Sequence, residues 1–225
     1  MQALILERFM KIKFLALLTV ATLLPNHHLM GQENHEQEPP LALVLSLGGK
    51  EHTIEANAEM RIPGEFKNPN VKIRPAGYRL FRRNDISFRY PEDMHFDYEH
   101  AEGVKSWDLV GDDAELNVYC MQESSEQFIQ SAIREIVSVA DEPKQKVKIK
   151  RGVKKVSGVE LKTYEYSIDF GEEYWVNTYA LELPPTTENR MLLFSREFDG
   201  KKLVKECVEF EKLVLGSLKW SSSNK

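Results

Sequence analysis

Three ligand-type side chains alternate in His95-Phe-Asp97-Tyr-Glu99, and His100 follows directly. In an extended segment every second side chain shares a face, and imidazole with carboxylate is a donor set that a zinc ion accepts. No other stretch of the sequence has this character. The spacing works against a metal site, because same-face neighbours on a strand stand about 7 Å apart and three in succession reach one ion only if the backbone bends. His95, Asp97 and Glu99 are therefore expected to form an exposed polar strand end, and a metal-dependent enzyme is the last of three functional readings. His-Glu-x-x-His and Gly-x-Ser-x-Gly are both absent, so no hydrolase motif supports catalysis. No cofactor is expected.

The two cysteines and the tyrosines offer other chemistry. Cys120 falls on the covered face of a strand-like alternation, and Cys207 on the apolar stripe of a helix-like one, so both point toward one layer. A disulfide between them would close a long loop and add roughly 4 kcal/mol on the chain-entropy model. The other reading is two buried thiols, since the sequence leaves their separation open. A nucleophilic thiol ranks last, because apolar surroundings raise a cysteine's pKa. Tyr164, Tyr166 and Phe170 share one parity, and Trp175 and Tyr179 share another on the next strand. As cross-strand neighbours they would make an aromatic strip. On an open face, Tyr164, Tyr166, Trp175 and Tyr179 would suit a sugar, a lipid or a peptide; beneath a helix they would be core.

What must position these residues follows from composition and patterning. In 225 residues, 30 basic and 35 acidic side chains leave a net charge of −5, a sign that repels nucleic acid. Lys144 to Lys155 is rich in cations and free of acids, but it holds no aromatic on which a base could stack. It reads as an edge strand or hairpin whose lysines discourage pairing with other chains. Arg8, Lys11 and Lys13 precede the uncharged run Phe14 to Leu24, which ends at Pro25. That run is about half of a membrane crossing and matches the apolar region of a secretory signal. Residues 1–31 are thus expected to be a signal peptide, with Met1 or Met10 as the start and cleavage after Gly31. The mature chain would then have no transmembrane segment and would reside in the periplasm or outside the cell. A buried N-terminal helix is the alternative for this run.

Beyond the leader, Gln32 to Pro40 is polar and ends in two prolines, which predicts a mobile linker. Leu41–Leu47, Gly48-Gly49 and Lys50–Glu55 have a β-hairpin pattern. Turn residues at Pro63-Gly64 and Asn68-Pro-Asn70 follow, so residues 41–76 read as a small β extension. A main domain over 77–221 is predicted. Its strands alternate around Arg83-Asn-Asp85 and Gly111-Asp-Asp113. A helix over 125–140 has Ser124 and Gln127 at capping-box spacing. Three strands come next, and a last helix should start near Asp199 or Gly200. The expected fold class is α+β, an antiparallel sheet covered by amphipathic helices.

Phe88-Arg-Tyr-Pro91 with Phe96 shortly after, the element order above and a terminal Gly216-Ser-Leu-Lys-Trp220 resemble the PsbP-like family over roughly residues 78–220. The resemblance implies an α/β/α sandwich and non-enzymatic work as a binding or assembly partner. It carries no metal or partner-binding residue onto this chain. Three functions are thus set out: an exported non-catalytic module that binds another envelope or secreted protein; a carrier of a small ligand or lipid in a pocket between sheet and helix; and the metal-dependent enzyme at His95, Asp97 and Glu99.

Overall fold

The computed structural model describes residues 36–56, 58–62, 70–101, 103–112, 114–139, 146–169, 175–199 and 201–221. The expected signal peptide, the first residues of the linker, the Pro63-Gly64 turn and Phe170 lie outside the described residues.

Turn chemistry sets up the first sheet. Gly48 and Gly49, at φ +57° and +79°, close the hairpin of β1 (Leu41–Leu47) and β2 (Lys50–Glu55). Asn84 and Asp85, at φ +45° and +62°, close that of β3 (Val71–Arg83) and β4 (Ile86–Pro91). Two successive positive φ values match the right-handed twist of the flanking strands. β1 pairs with both β2 and β3, and β14 (Lys219–Trp220) adds to β4, giving a five-stranded sheet in the order β14-β4-β3-β1-β2.

A seven-stranded antiparallel sheet holds β5 (His95–Ala101), β6 (Val104–Val110), β7 (Glu115–Met121), β8 (Lys146–Val156), β9 (Val159–Asp169), β10 (Trp175–Leu183) and β11 (Asn189–Ser195). Its order is β5-β6-β7-β11-β10-β9-β8, so the acidic β5 and the lysine-rich β8 are its two edges. α1 (Ser125–Val139) crosses one face, where Phe128, Ile129 and Ile133 pack on Tyr119, Tyr166 and Met191. The capping box forms: Ser124 Oγ accepts from the Gln127 backbone N–H at 3.3 Å, and Gln127 Oε1 accepts from the Ser124 N–H at 3.2 Å. The other face meets the five-stranded sheet and α2 (Lys205–Ser217) around Phe81, Phe88, Trp107, Phe194 and Phe210. Phe81 and Phe88 stack at 4.6 Å, and Trp107 meets Phe81 edge-on at 5.8 Å.

The expected sheet covered by helices, an α/β/α sandwich, is corrected here. Strands hold 59% of the described residues, and what covers the core face of the seven-stranded sheet is largely a second sheet. The cause is β3, which runs unbroken through the expected boundary between residues 76 and 77 and ties the hairpin to β4. Pro75 and Gly77, which punctuate the sequence, are absorbed by a register irregularity opposite Leu41 and Leu43, where Gly77 takes φ +77°. The last helix also starts later than expected. A two-residue hairpin, β12 (Phe198–Asp199) with β13 (Lys202–Leu203), precedes it.

The end of the expected linker is held in place. Glu36 Oε2 accepts from Trp107 Nε1 at 2.8 Å and from Arg83 Nε at 2.5 Å. Arg79 donates to the Pro39 carbonyl at 2.8 Å and pairs with Glu38 at 3.2 Å. Buried Arg190 draws three further segments together through the carbonyls of Asn84, Pro184 and Ser221. No helix among the described residues is long and apolar enough to cross a membrane.

Candidate functional site

The residues with the most suggestive chemistry lie along an edge strand. On edge strand β5, Asp97 lies opposite Asp108 and Glu99 opposite Ser106, and His95, Asp97 and Glu99 are all exposed. No group of three His, Cys, Asp or Glu among the described residues is placed to hold an ion. The register instead adds carboxylates that the sequence reading missed. Asn117 Nδ2 donates to Asp108 Oδ1 at 2.8 Å and to Glu115 Oε1 at 3.3 Å on the same face of the sheet. Partial desolvation of its carboxyl against the sheet, then the negative charges of Asp108 and Asp97, pushes the pKa of Glu99 up. Burial also raises Asp108 and Glu115, against the Asn117 hydrogen bond that favours their charged forms. The signal was present in the Gly111 hairpin, since a turn there sets Asp108 opposite Asn117.

The aromatic strip divides. Thr178 lies opposite Tyr166 and Ala180 opposite Tyr164, so Tyr179, opposite Glu165, projects from the other face. Tyr164 and Tyr166 join the core under α1, and all three tyrosine side chains are buried. Tyr164 Oη donates to Glu182 Oε2 at 3.0 Å. The register sets Trp175 opposite Asp169, and its side chain is outside the described residues.

Cys120 and Cys207 are both buried and are not joined. Cys120 faces Arg190 in the β7–β11 ladder, at the end where Arg190 holds Ser221 beyond α2. Cys207 sits in the first turn of α2, beside Val204, whose N–H bonds to Glu197 past the other end of β11. The length of the helix therefore separates them. Burial raises the Cys120 thiol pKa, so its unreactive protonated form is favoured.

The open surface lies elsewhere, on β1, β2 and β3. Directly opposite residues share a face, and Leu41 lies opposite Arg79, on the side of β3 that carries core residue Phe81. The same side continues outward through Leu43, Leu45 and Leu47. Leu43 meets Ile54 and Pro75, Leu45 meets Ile73 and His52, and Leu47 meets Val71 and Lys50. Cover thins along this row: Ile73 is 62% and Val71 50% exposed, and the three leucines are half-buried. The reverse face carries Ala42 and Val44, both buried, together with the pairs Arg74–Glu51 at 3.2 Å and Arg82–Glu55, so its exposed part is charged and paired. One side suits water and the other suits an apolar partner.

No protein-family model matches the chain, and no curated protein compared with it is similar.

Proposed function

We propose that this is an exported, non-catalytic binding module that docks an envelope or secreted protein on the open face of β1, β2 and β3. One observation carries the reading: the core-facing side of the five-stranded sheet runs on past its cover as a row of Leu43, Leu45, Leu47, Ile54, Val71 and Ile73, bordered on β2 by His52 and Lys50. A largely apolar open face on one side of a sheet, backed on the other by charged pairs and by Ala42 and Val44 already covered, is the distribution a protein-docking surface requires. The export part rests on the basic flank and apolar run of residues 8–24.

The test is capture of a partner from the envelope fraction by the mature protein and by the variant Leu45→Lys, Ile73→Lys. One enriched protein, lost with the variant while its melting transition stays in place, is the expected result. Equal recovery by both proteins would remove this face from the proposal, and self-association lost with the variant would make the occupant a second copy. The mass of the purified exported protein should place its N-terminus near Gln32, and an uncleaved product would overturn the export reading.

A further inference from the structure

α2 carries two apolar stripes. Cys207, Phe210, Val214 and Leu218 turn toward the core between the sheets. Val208 and Leu215, seven residues apart and hence on one side of the helix, flank that stripe and with Leu203 face the end of β8; Leu215 also packs against the core, and Val208 is 46% exposed. The turn Ser157-Gly158 brings that end of β8 beside the helix, and Ser157 Oγ donates to the Leu218 carbonyl at 3.4 Å. Between the two elements lies an open cleft of about 450 Å³, a size typical of small-molecule sites.

The charges around the cleft do not balance. Lys154 and Lys155 come from β8 and Lys212 from α2. The carboxylate that lines it, Glu211, is already taken: it accepts from Arg196 Nε at 2.5 Å and Nη2 at 2.9 Å, with both side chains largely buried. Lys154 Nζ rests 5.2 Å from the centre of the Tyr179 ring, which Arg196 also covers at 4.1 Å, so this wall is positive and braced by an aromatic. Lys155 lies opposite Glu160 in the ladder without forming an ion pair. Among the described residues, none of the three lysines has a carboxylate partner.

In a chain with a net charge of −5, an apolar recess rimmed by uncompensated cations selects for a molecule with both characters. A bare inorganic anion would leave the apolar stripe wet, and a neutral hydrocarbon would leave the lysines unanswered. A nucleotide would need an exposed ring for its base, and Tyr179 is covered. We propose that the cleft binds a single-chain amphiphile with an anionic head, of the long-chain carboxylate class. Its chain lies along Val208 and Leu215, and its head sits among Lys154, Lys155 and Lys212. This site is separate from the partner face on β1 to β3 and does not depend on it.

Calorimetric titration of the mature protein with dodecanoate, below its micelle concentration, tests the idea. One dodecanoate per chain is expected, with acetate and dodecyltrimethylammonium at least about tenfold weaker and binding that weakens as salt rises. Lys155→Glu with Lys212→Glu, both at exposed positions, should weaken dodecanoate about tenfold or more, and Val208→Asp should do the same from the apolar side. If the double charge reversal unfolds the chain, Lys212→Gln serves in its place, with about a threefold loss expected. Leu45→Lys with Ile73→Lys should bind dodecanoate as the unaltered chain does, which separates this site from the partner face. Equal binding of the cationic amphiphile, equal binding of acetate, or affinity indifferent to the lysine variants would each overturn the proposal.

Discussion

Phe81 and Ile73 stand on the same strand, β3, and on the same face of it. Phe81 is completely buried between the two sheets, whereas Ile73 is 62% exposed. Residue type does not separate them, since both are large apolar residues that favour a pleated surface, although the irregularity at Pro75 and Gly77 lies between them. The difference lies in what stands opposite. At Phe81 the seven-stranded sheet supplies Trp107, and the rim is closed by Glu36, whose carboxylate holds Trp107 and Arg83 together. At Ile73 the five-stranded sheet has run past its cover. A strand thus records which side is apolar, and only the neighbouring layer decides whether that side is core or a surface for another molecule.

The largest expected effect comes from removing the covered end's anchor. Phe81→Ala should lower stability by about 3–5 kcal/mol, the range for emptying a packed aromatic site, measured as the shift of the urea midpoint. A loss near 1 kcal/mol would mean that the inter-sheet layer is loosely filled, and the contrast with Ile73 would then largely vanish.

Much of this contrast was readable in advance, and some of it was not. The hairpins around Gly48-Gly49 and Asn84-Asp85 are local events, fixed by residues that tolerate positive φ, and their strands sit where those turns predict. The capping box at Ser124 and Gln127 is equally local. The second sheet was hidden because Pro75 and Gly77 look like breaks, while the structure uses them within a pairing irregularity inside one long strand. Pairing of β1 with β3 is non-local, and parity along one strand carries no trace of it. For the same reason parity does not tell which residues of the aromatic strip share a face. Tyr166 and Tyr179 each had the right alternation, but the register set Thr178 opposite Tyr166 and turned Tyr179 to the other face. Two of the cleft's lysines, Lys154 and Lys155, were visible in a basic run; Lys212 and the apolar Val208 and Leu215 on α2 were not, because the core stripe of that helix masked them.

A second way to sharpen the comparison is to open the covered end at its rim. Glu36→Ala leaves the Trp107 Nε1–H and the Arg83 guanidinium without their shared acceptor, so a loss of about 1–2 kcal/mol is expected. Trp107 fluorescence should shift to the red as water reaches the ring. An unchanged spectrum would show that residues 36–40 rest on the body without closing it.

The far face of the seven-stranded sheet gives a smaller effect with a definite sign. The folded-state pKa values of Glu99, Asp108 and Glu115 are raised, chiefly by burial, so the native state holds their protons more tightly than the unfolded chain does. Their contribution to stability therefore grows as pH falls from 7 through those raised values, and levels off below the ordinary carboxylate range near 4. Asp97→Asn keeps the Oδ1 acceptor for the Tyr98 N–H and removes the charge opposite Asp108. It should stabilise the protein by about 0.5 kcal/mol at pH 7 and by almost nothing at pH 4. A gain that is the same at both pH values would point to a cause other than charge.

The smallest effect belongs to the open end, and it is the one that defines the contrast. Ile73→Ser removes most of an apolar side chain from a position already 62% in water, so little burial is lost on folding. The exchange also gives up some strand preference, and together these should change stability by no more than about 0.5 kcal/mol. The same substitution should weaken partner capture, because an exposed apolar side chain at the centre of a docking face is desolvated only when the partner arrives. A loss of stability comparable to that of Phe81→Ala would mean that Ile73 is covered in solution by the chain itself or by a second copy. Dilution separates these, since a melting transition that falls with protein concentration belongs to the second copy alone.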